Sequence, residues 1–191
     1  MKKQQKSRPE SRAALVKNQT VQVTIEALSS EGSGVGHSGG MTLFVPHTAV
    51  GDVCEALIIK VQKNYAVSKL VRLLGPSADR VESDCPVSSR CGGCVYRHIS
   101  YEAECKAKYQ KVADAIQRIA KLPVTPQPLL PSGQTAGYRN KAQYPVRREE
   151  GGRLQIGFFA PRSHRVVDCR ECLLQPPLFT KALAAFAEYM E

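Results

Sequence analysis

From Thr20 the chain alternates apolar and polar positions, with Val21, Val23, Ile25 and Ala27 at the period of a half-buried strand. A glycine-rich stretch from Glu31 to Gly40 follows and reads as a loop. Met41 to Val45 is a second short strand, closed by Pro46. After a turn at Gly51-Asp52, Val53, Leu57, Ile59 and Val61 share one face of a third strand. Asn64 turns the chain again, and Tyr65, Val67, Val71 and Leu73 line a fourth. Several short strands with turns between them predict a small all-β barrel over residues 16–75. Residues 1–15 ahead of it read as a disordered basic arm.

Gly75-Pro76 marks a boundary, and residues 76–191 form a second region of mixed pattern. Cys85 to Cys94 is a loop rich in Ser and Gly. Ser100 is placed to cap a helix that reaches about Lys121. Tyr101, Cys105, Tyr109, Val112, Ile116 and Ile119 fall on one face of that helix, and Pro123 follows its end. A proline-broken linker, LPVTPQPLLP, spans residues 122–131. Two strand candidates come next, Tyr138 to Arg147 and Leu154 to Phe159, with EEGG at 149–152 as the hairpin turn. A final helix from Pro177 carries Leu178, Phe179, Leu183, Phe186 and Tyr189. It reaches the last residue without a stop signal, as expected of a sequence that has been cut.

Charge narrows the partner. The formal net charge of +10 and the pI near 9.4 point to a polyanion, because each Lys or Arg that neutralises a phosphate releases a counterion. The basic arm holds part of the surplus, and the body of the chain holds the rest. No apolar run follows the charged start and none is long enough to span a bilayer, so a cytoplasmic location is expected. Thiols stay reduced there. Seven cysteines then call for a metal or a cluster instead of a disulfide framework.

Gly34-Val35-Gly36-His37-Ser38-Gly39 satisfies G-x-G-x-x-G, but strand text and a proline follow where a dinucleotide site needs a helix. The expectation is a flexible loop whose glycines let a partner approach the backbone. Cys85-x5-Cys91-x2-Cys94 is the strongest chemical signal. Tetrahedral zinc and cubane clusters both take four ligands, and the fourth could be Cys169, Cys172, Cys105 or Cys54. Cys105 on the helix stripe and Cys54 in a strand read as small core residues. Two Cys-x2-Cys pairs would suit zinc through Cys91, Cys94, Cys169 and Cys172, whereas the triple Cys-x5-Cys-x2-Cys plus one distant cysteine suits an iron–sulfur cluster. A stand-alone zinc-containing RNA-binding protein is therefore the competing reading.

Residues 85–121, with CGGC and the helix after it, resemble the iron–sulfur segment of bacterial RNA uracil-5-methyltransferases that modify 23S rRNA. GYRNKAQYPV at 137–146 and IGFFAPRSHRVVDCRECLLQ at 156–175 resemble the same family, and the β-rich stretch is similar to its TRAM domain, an OB-like RNA-binding barrel. The resemblance implies a [4Fe-4S] cluster held by Cys85, Cys91, Cys94 and Cys172, the last being the cysteine before Leu-Leu-Gln. The region after residue 75 is then an incomplete α+β iron–sulfur domain. The family's methyl transfer uses S-adenosylmethionine, a cysteine that adds to C6 of uracil and a base that removes the C5 proton. These lie in a further domain not matched here, so no catalytic residue is assigned. The implied partner is RNA, 23S rRNA in particular, bound by a monomer.

Arg139, Asn140 and Lys141 match the family's YRN(K/R) strand and take its RNA-facing role by that match. On the barrel, Lys60, Lys63, Asn64, Tyr65, Lys69 and Arg72 form the expected RNA patch, combining cations for phosphates with a ring for stacking. Arg162 and His164 fall in a loop near Cys172, where they would touch RNA or hydrogen-bond cluster sulfurs.

Overall fold

The computed structural model describes residues 15–190 and divides into two compact units that meet at Asp79 and Arg80. The expected basic arm, except for Leu15, lies outside the described residues. Leu15 is buried against the barrel core, one residue before the expected start of that barrel.

The first unit is a closed barrel of β1 (Thr20–Leu28), β2 (Gly34–Ser38), β3 (Met41–Val45), β4 (Val53–Val61) and β5 (Tyr65–Gly75), in the order β1-β2-β3-β5-β4. Closure removes exposed sheet edges. It is completed by a parallel pairing of β3 with β5, which sets Leu43 opposite Ala66. Val23, Ile25, Leu43, Val45, Cys54, Ala56, Ile58 and Ala66 fill the interior. The alternation in β1 holds through Ile25. A bulge before Ala27 then breaks the period, and Ala27 faces out.

Two expectations for the barrel change. The glycine-rich stretch contains strand β2, and its glycines serve the barrel interior. A Cβ on Gly36 would stand 2.4 Å from the backbone oxygen of Thr24, and one on Gly34 would stand 1.9 Å from Thr48 Oγ1. Hydrogen alone lets β2 lie this close to its neighbours. On β4 the aligned residues Val53, Leu57 and Ile59 mark the outer face, while Cys54, Ala56 and Ile58 between them are fully buried. Both faces are apolar, so periodicity fixed the strand but not its inward side. Asp52, also fully buried, ties the β3–β4 connection to the end of β5. Its carboxylate accepts the Ala49 N–H at 2.7 Å and the Ser77 N–H at 2.8 Å.

In the second unit α1 (Tyr101–Asp114) starts where expected, with Ser100 Oγ accepting the Ala103 N–H at 3.2 Å. It continues into one wider π turn, Ala115–Ile119. The predicted apolar stripe is not the buried face: Val112 is 49% exposed within α1 and Ile119 81% exposed, while Ala103 and Ala113 are the buried positions. The proline-rich linker lies along the helix, where Tyr109 Oη donates to Pro126 O and Tyr101 Oη accepts the Ser132 N–H.

Antiparallel β6 (Val146–Arg148), β7 (Leu154–Phe159) and β8 (Val166–Asp168) form a small sheet in that order. The hairpin turn at Glu149–Gly152 and β7 match expectation, whereas the first strand is far shorter than Tyr138–Arg147. Tyr138 to Asn140 instead runs beside the segment after β8, with Arg139 N–H donating to Leu174 O at 2.8 Å. Strand β8 was not foreseen. Helix α2 (Pro177–Met190) covers the sheet with Leu183 and Ala187 against Leu154 and Ile156.

A candidate metal centre and its basic surroundings

Cys85, Cys91 and Cys94 lie on one tightly wound loop. The Ser88 amide donates to Cys85 O at 3.1 Å and the Cys91 amide to Val87 O at 2.8 Å. Gly93 N–H points at Cys91 Sγ at 3.3 Å. The loop is seated on the β7–β8 hairpin, where Gly92 N–H donates to Phe159 O at 2.9 Å. A Cβ on Gly92 would stand 2.7 Å from that same oxygen and 3.2 Å from Pro161 N. Gly92 is thus required by close approach between the two backbones.

Beyond β8 the chain delivers Cys169 and Cys172 to the same place. Cys91 and Cys169 are buried with Val87, Ala160 and Val167, and Cys85 and Cys172 pack against them. Cys54, by contrast, is in the barrel core, as its strand setting led us to expect. Cys105 lines an open apolar groove with Tyr109, Pro128 and Leu129, so it is half-buried and not a core residue.

The thiols sense one another. Burial pushes the Cys91 thiol up, and the neighbouring Cys85 and Cys172 charges add to the effect against the Gly93 N–H. Burial also raises Cys94, opposed by the Arg97 guanidinium and reinforced by Cys172, Cys91 and Cys85. Arg97 is held by a 3.0 Å ion pair with Asp84. Cys172 goes the other way. Its thiolate is favoured by a hydrogen bond from Cys169, by the Leu174 N–H, by the Arg139 charge and by the Gln175 N–H. The bond to Cys172 and then burial push Cys169 up. Among the described residues no three His, Cys, Asp or Glu side chains converge as ligands of one bound ion would.

Cys91, Cys94 and Cys172 therefore share one electrostatic environment with Cys85. Ionising all of them together requires a cation, since burial and mutual repulsion both oppose the charged forms. The donor set is all sulfur, which suits zinc or an iron–sulfur cluster. A cubane takes one thiolate at each of four iron corners and so keeps its ligands apart. The chemistry of the four thiols is that of a ligand set for such a group.

The TRAM domain family matches residues 15–71. An uncharacterized RNA methyltransferase of Clostridium tetani is 39% identical over 92% of this chain and 38% of its own length. A second, from Halalkalibacterium halodurans, is 42% identical over 85% of this chain and 36% of its own. The chain is thus similar to RNA methyltransferases, with a TRAM domain match over its barrel. It spans rather more than a third of the length of these relatives. The crystal structure of Pyrococcus abyssi tRNA (uracil-54, C5)-methyltransferase with S-adenosyl-L-homocysteine has the same fold over 88% of this chain and 36% of that one, with a TM-score of 0.59 at 24% identity.

On the TRAM barrel, Lys60, Lys63, Asn64, Tyr65 and Lys69 are all exposed. Tyr65 meets Phe44 edge-on at 5.5 Å, next to the parallel β3–β5 seam. Arg72 differs from the lysines because it is spent on Glu55, 3.0 Å away across the β4–β5 pair. In the second unit Asn140 and Lys141 are exposed, while Arg139 is half-buried and acts on Cys172. Arg162 and His164 are exposed on the β7–β8 connection, with the His164 ring edge-on to Phe159 at 5.4 Å. Sequence reasoning missed Arg97, Tyr144 and Gln175 around the cysteines. Gln175 ends the CLLQ motif and Tyr144 belongs to GYRNKAQYPV, so both were in view but carried no chemical signal by themselves.

Proposed function

We propose that this chain is the RNA-binding, iron–sulfur-bearing portion of an S-adenosylmethionine-dependent RNA uracil-5-methyltransferase acting on 23S rRNA in the cytoplasm. One observation carries the reading: the CGGC loop and Cys172, far apart in sequence, share one all-sulfur environment in a chain similar to RNA methyltransferases. Cys85, Cys91, Cys94 and Cys172 would hold a [4Fe-4S] group, which supplies a rigid anionic cross-link between the loop and the segment after β8. S-adenosylmethionine, bound by sequence outside these residues, would supply the methyl group. What this chain contributes is RNA recognition, through Lys60, Lys63, Tyr65 and Lys69 on the barrel and through Asn140, Lys141, Arg162 and His164 in the second unit.

The test is competition binding by the monomeric chain at fixed salt, with a labelled 23S rRNA fragment against transfer RNA and a scrambled single strand. Preference for the ribosomal fragment supports the reading. Equal affinity for all three would remove the 23S assignment, and no binding would remove the RNA-binding role. Methyl transfer from S-adenosylmethionine by this chain alone would contradict the division of labour.

A further inference from the structure

The tip of the β7–β8 hairpin carries an aromatic ring where the sheet meets solvent. Along β7, Leu154, Ile156 and Gly157 are buried and Phe158 packs beside the cysteines. Phe159 is 43% exposed and joins none of the core clusters. The His164 ring meets it edge-on at 5.4 Å. Such a contact occupies at most one face of either ring, so aromatic surface stays open to a third ring.

A lone exposed apolar side chain is ordinary. The setting of this one is not. Leu154 to Val167 contains Arg162 and Arg165 and no acid. The next acid along the chain, Asp168, faces Arg170 at 3.5 Å and Arg153 at 3.9 Å. Arg165 is exposed and makes no ion pair among the described residues. Arg162 stands at φ 55°, in the left-handed region where Gly or Asn is favoured. A cation is thus kept at the tip against the preference of its backbone.

The tip is also held in one shape. Ala160 N–H donates to Arg165 O at 2.8 Å, and Ser163 N–H donates to Ala160 O at 3.2 Å. Ser163 Oγ accepts the Arg165 N–H at 3.2 Å. Behind the turn, Phe159 O accepts the Gly92 N–H at 2.9 Å. A fixed turn loses little freedom on binding, which is the condition for a preorganised site. Rings stack on bases and guanidinium groups take phosphates, and an unpaired base is the one whose face is free to stack.

We propose that the β7–β8 tip is a stacking platform for one unpaired base of RNA, with Phe159 under the base and Arg162 and Arg165 on the phosphates beside it. The inference rests on the RNA-binding reading above and narrows it. The ligand is an unpaired nucleotide, and Phe159 and Arg165 join the residues that hold it. Duplex RNA, whose bases are already stacked, gains nothing from the ring.

The test measures binding of the whole chain to a short unstructured RNA and to the blunt duplex made from it, across a salt series. Phe159→Leu keeps an apolar side chain and removes the ring, whereas Phe159→Tyr keeps the ring. Phe159→Leu is expected to weaken single-strand binding roughly tenfold at an unchanged salt slope. Duplex binding should stay at the wild-type level, and Phe159→Tyr should bind the single strand as wild type does. Arg165→Gln should lower the log–log salt slope by about 0.7. Wild-type affinity of Phe159→Leu for the single strand would overturn the platform and leave the ring to a protein partner. Equal weakening on the duplex would overturn the unpaired base as the ligand. Wild-type chain that binds neither RNA would overturn the RNA-binding reading and this inference with it. If Phe159→Leu does not fold, Arg165→Gln at its exposed position decides, since an unchanged slope would overturn the tip as an RNA contact.

Discussion

Single residues decide how the cysteines are shared. Cys169 and Cys172 have the same spacing signature, and sequence spacing could not separate them. Their surroundings do, because Leu174 N–H, Gln175 N–H and Arg139 favour a thiolate at Cys172 while burial opposes one at Cys169. Cys172→Ala is therefore expected to lower iron and sulfide to background, whereas Cys169→Ala should retain most of both; equal loss in the two variants would argue against this division. Gly92 makes the second residue-scale case. Its Cβ would stand 2.7 Å from Phe159 O, a backbone atom with little room to move. Gly92→Ala should destabilise the second unit by about 1–3 kcal/mol, read as a lower denaturation midpoint with the barrel transition unchanged.

At the scale of elements, legibility followed local signal strength. The cap at Ser100 was visible because a side-chain acceptor before an apolar stripe has one use. Ser100→Ala should cost about 1 kcal/mol and speed amide exchange at Ala103, whose N–H would lose its acceptor; unchanged exchange there would deny the cap a role. The glycine stretch was misread as a loop because Gly34 and Gly36 carry no side chain to reveal a period. Their strand is set by neighbours that sequence does not display, Thr24 on β1 and Thr48 after β3. The outer face of β4 was chosen over the inner one for a similar reason, since Cys54 and Ala56 are small and Leu57 and Ile59 are larger. Strand β8 is three residues long, too short for alternation to register.

Across the whole molecule, the RNA-facing role we propose depends on the surplus of positive charge and on which cations are already paired. Lys60, Lys63 and Lys69 are exposed, whereas Arg72 already holds Glu55 at 3.0 Å. Replacing any of the three lysines by Gln should lower the log–log salt slope of RNA binding by about 0.7, while Arg72→Gln should leave it nearly unchanged. An Arg72 effect as large as a lysine's would mean that the ion pair opens on binding. Sequence located the basic text but not which charges were occupied, since the Glu55–Arg72 register arises only when β4 and β5 pair. The four cysteines are the other long-range feature, joining a loop at 85–94 to Cys172. Their claim to a cluster is tested most directly by iron, acid-labile sulfide and zinc analysis of the anaerobically purified chain. Brown protein with iron and sulfide near equal amounts, and no stoichiometric zinc, is the expected result; colourless protein carrying one zinc per chain would contradict it.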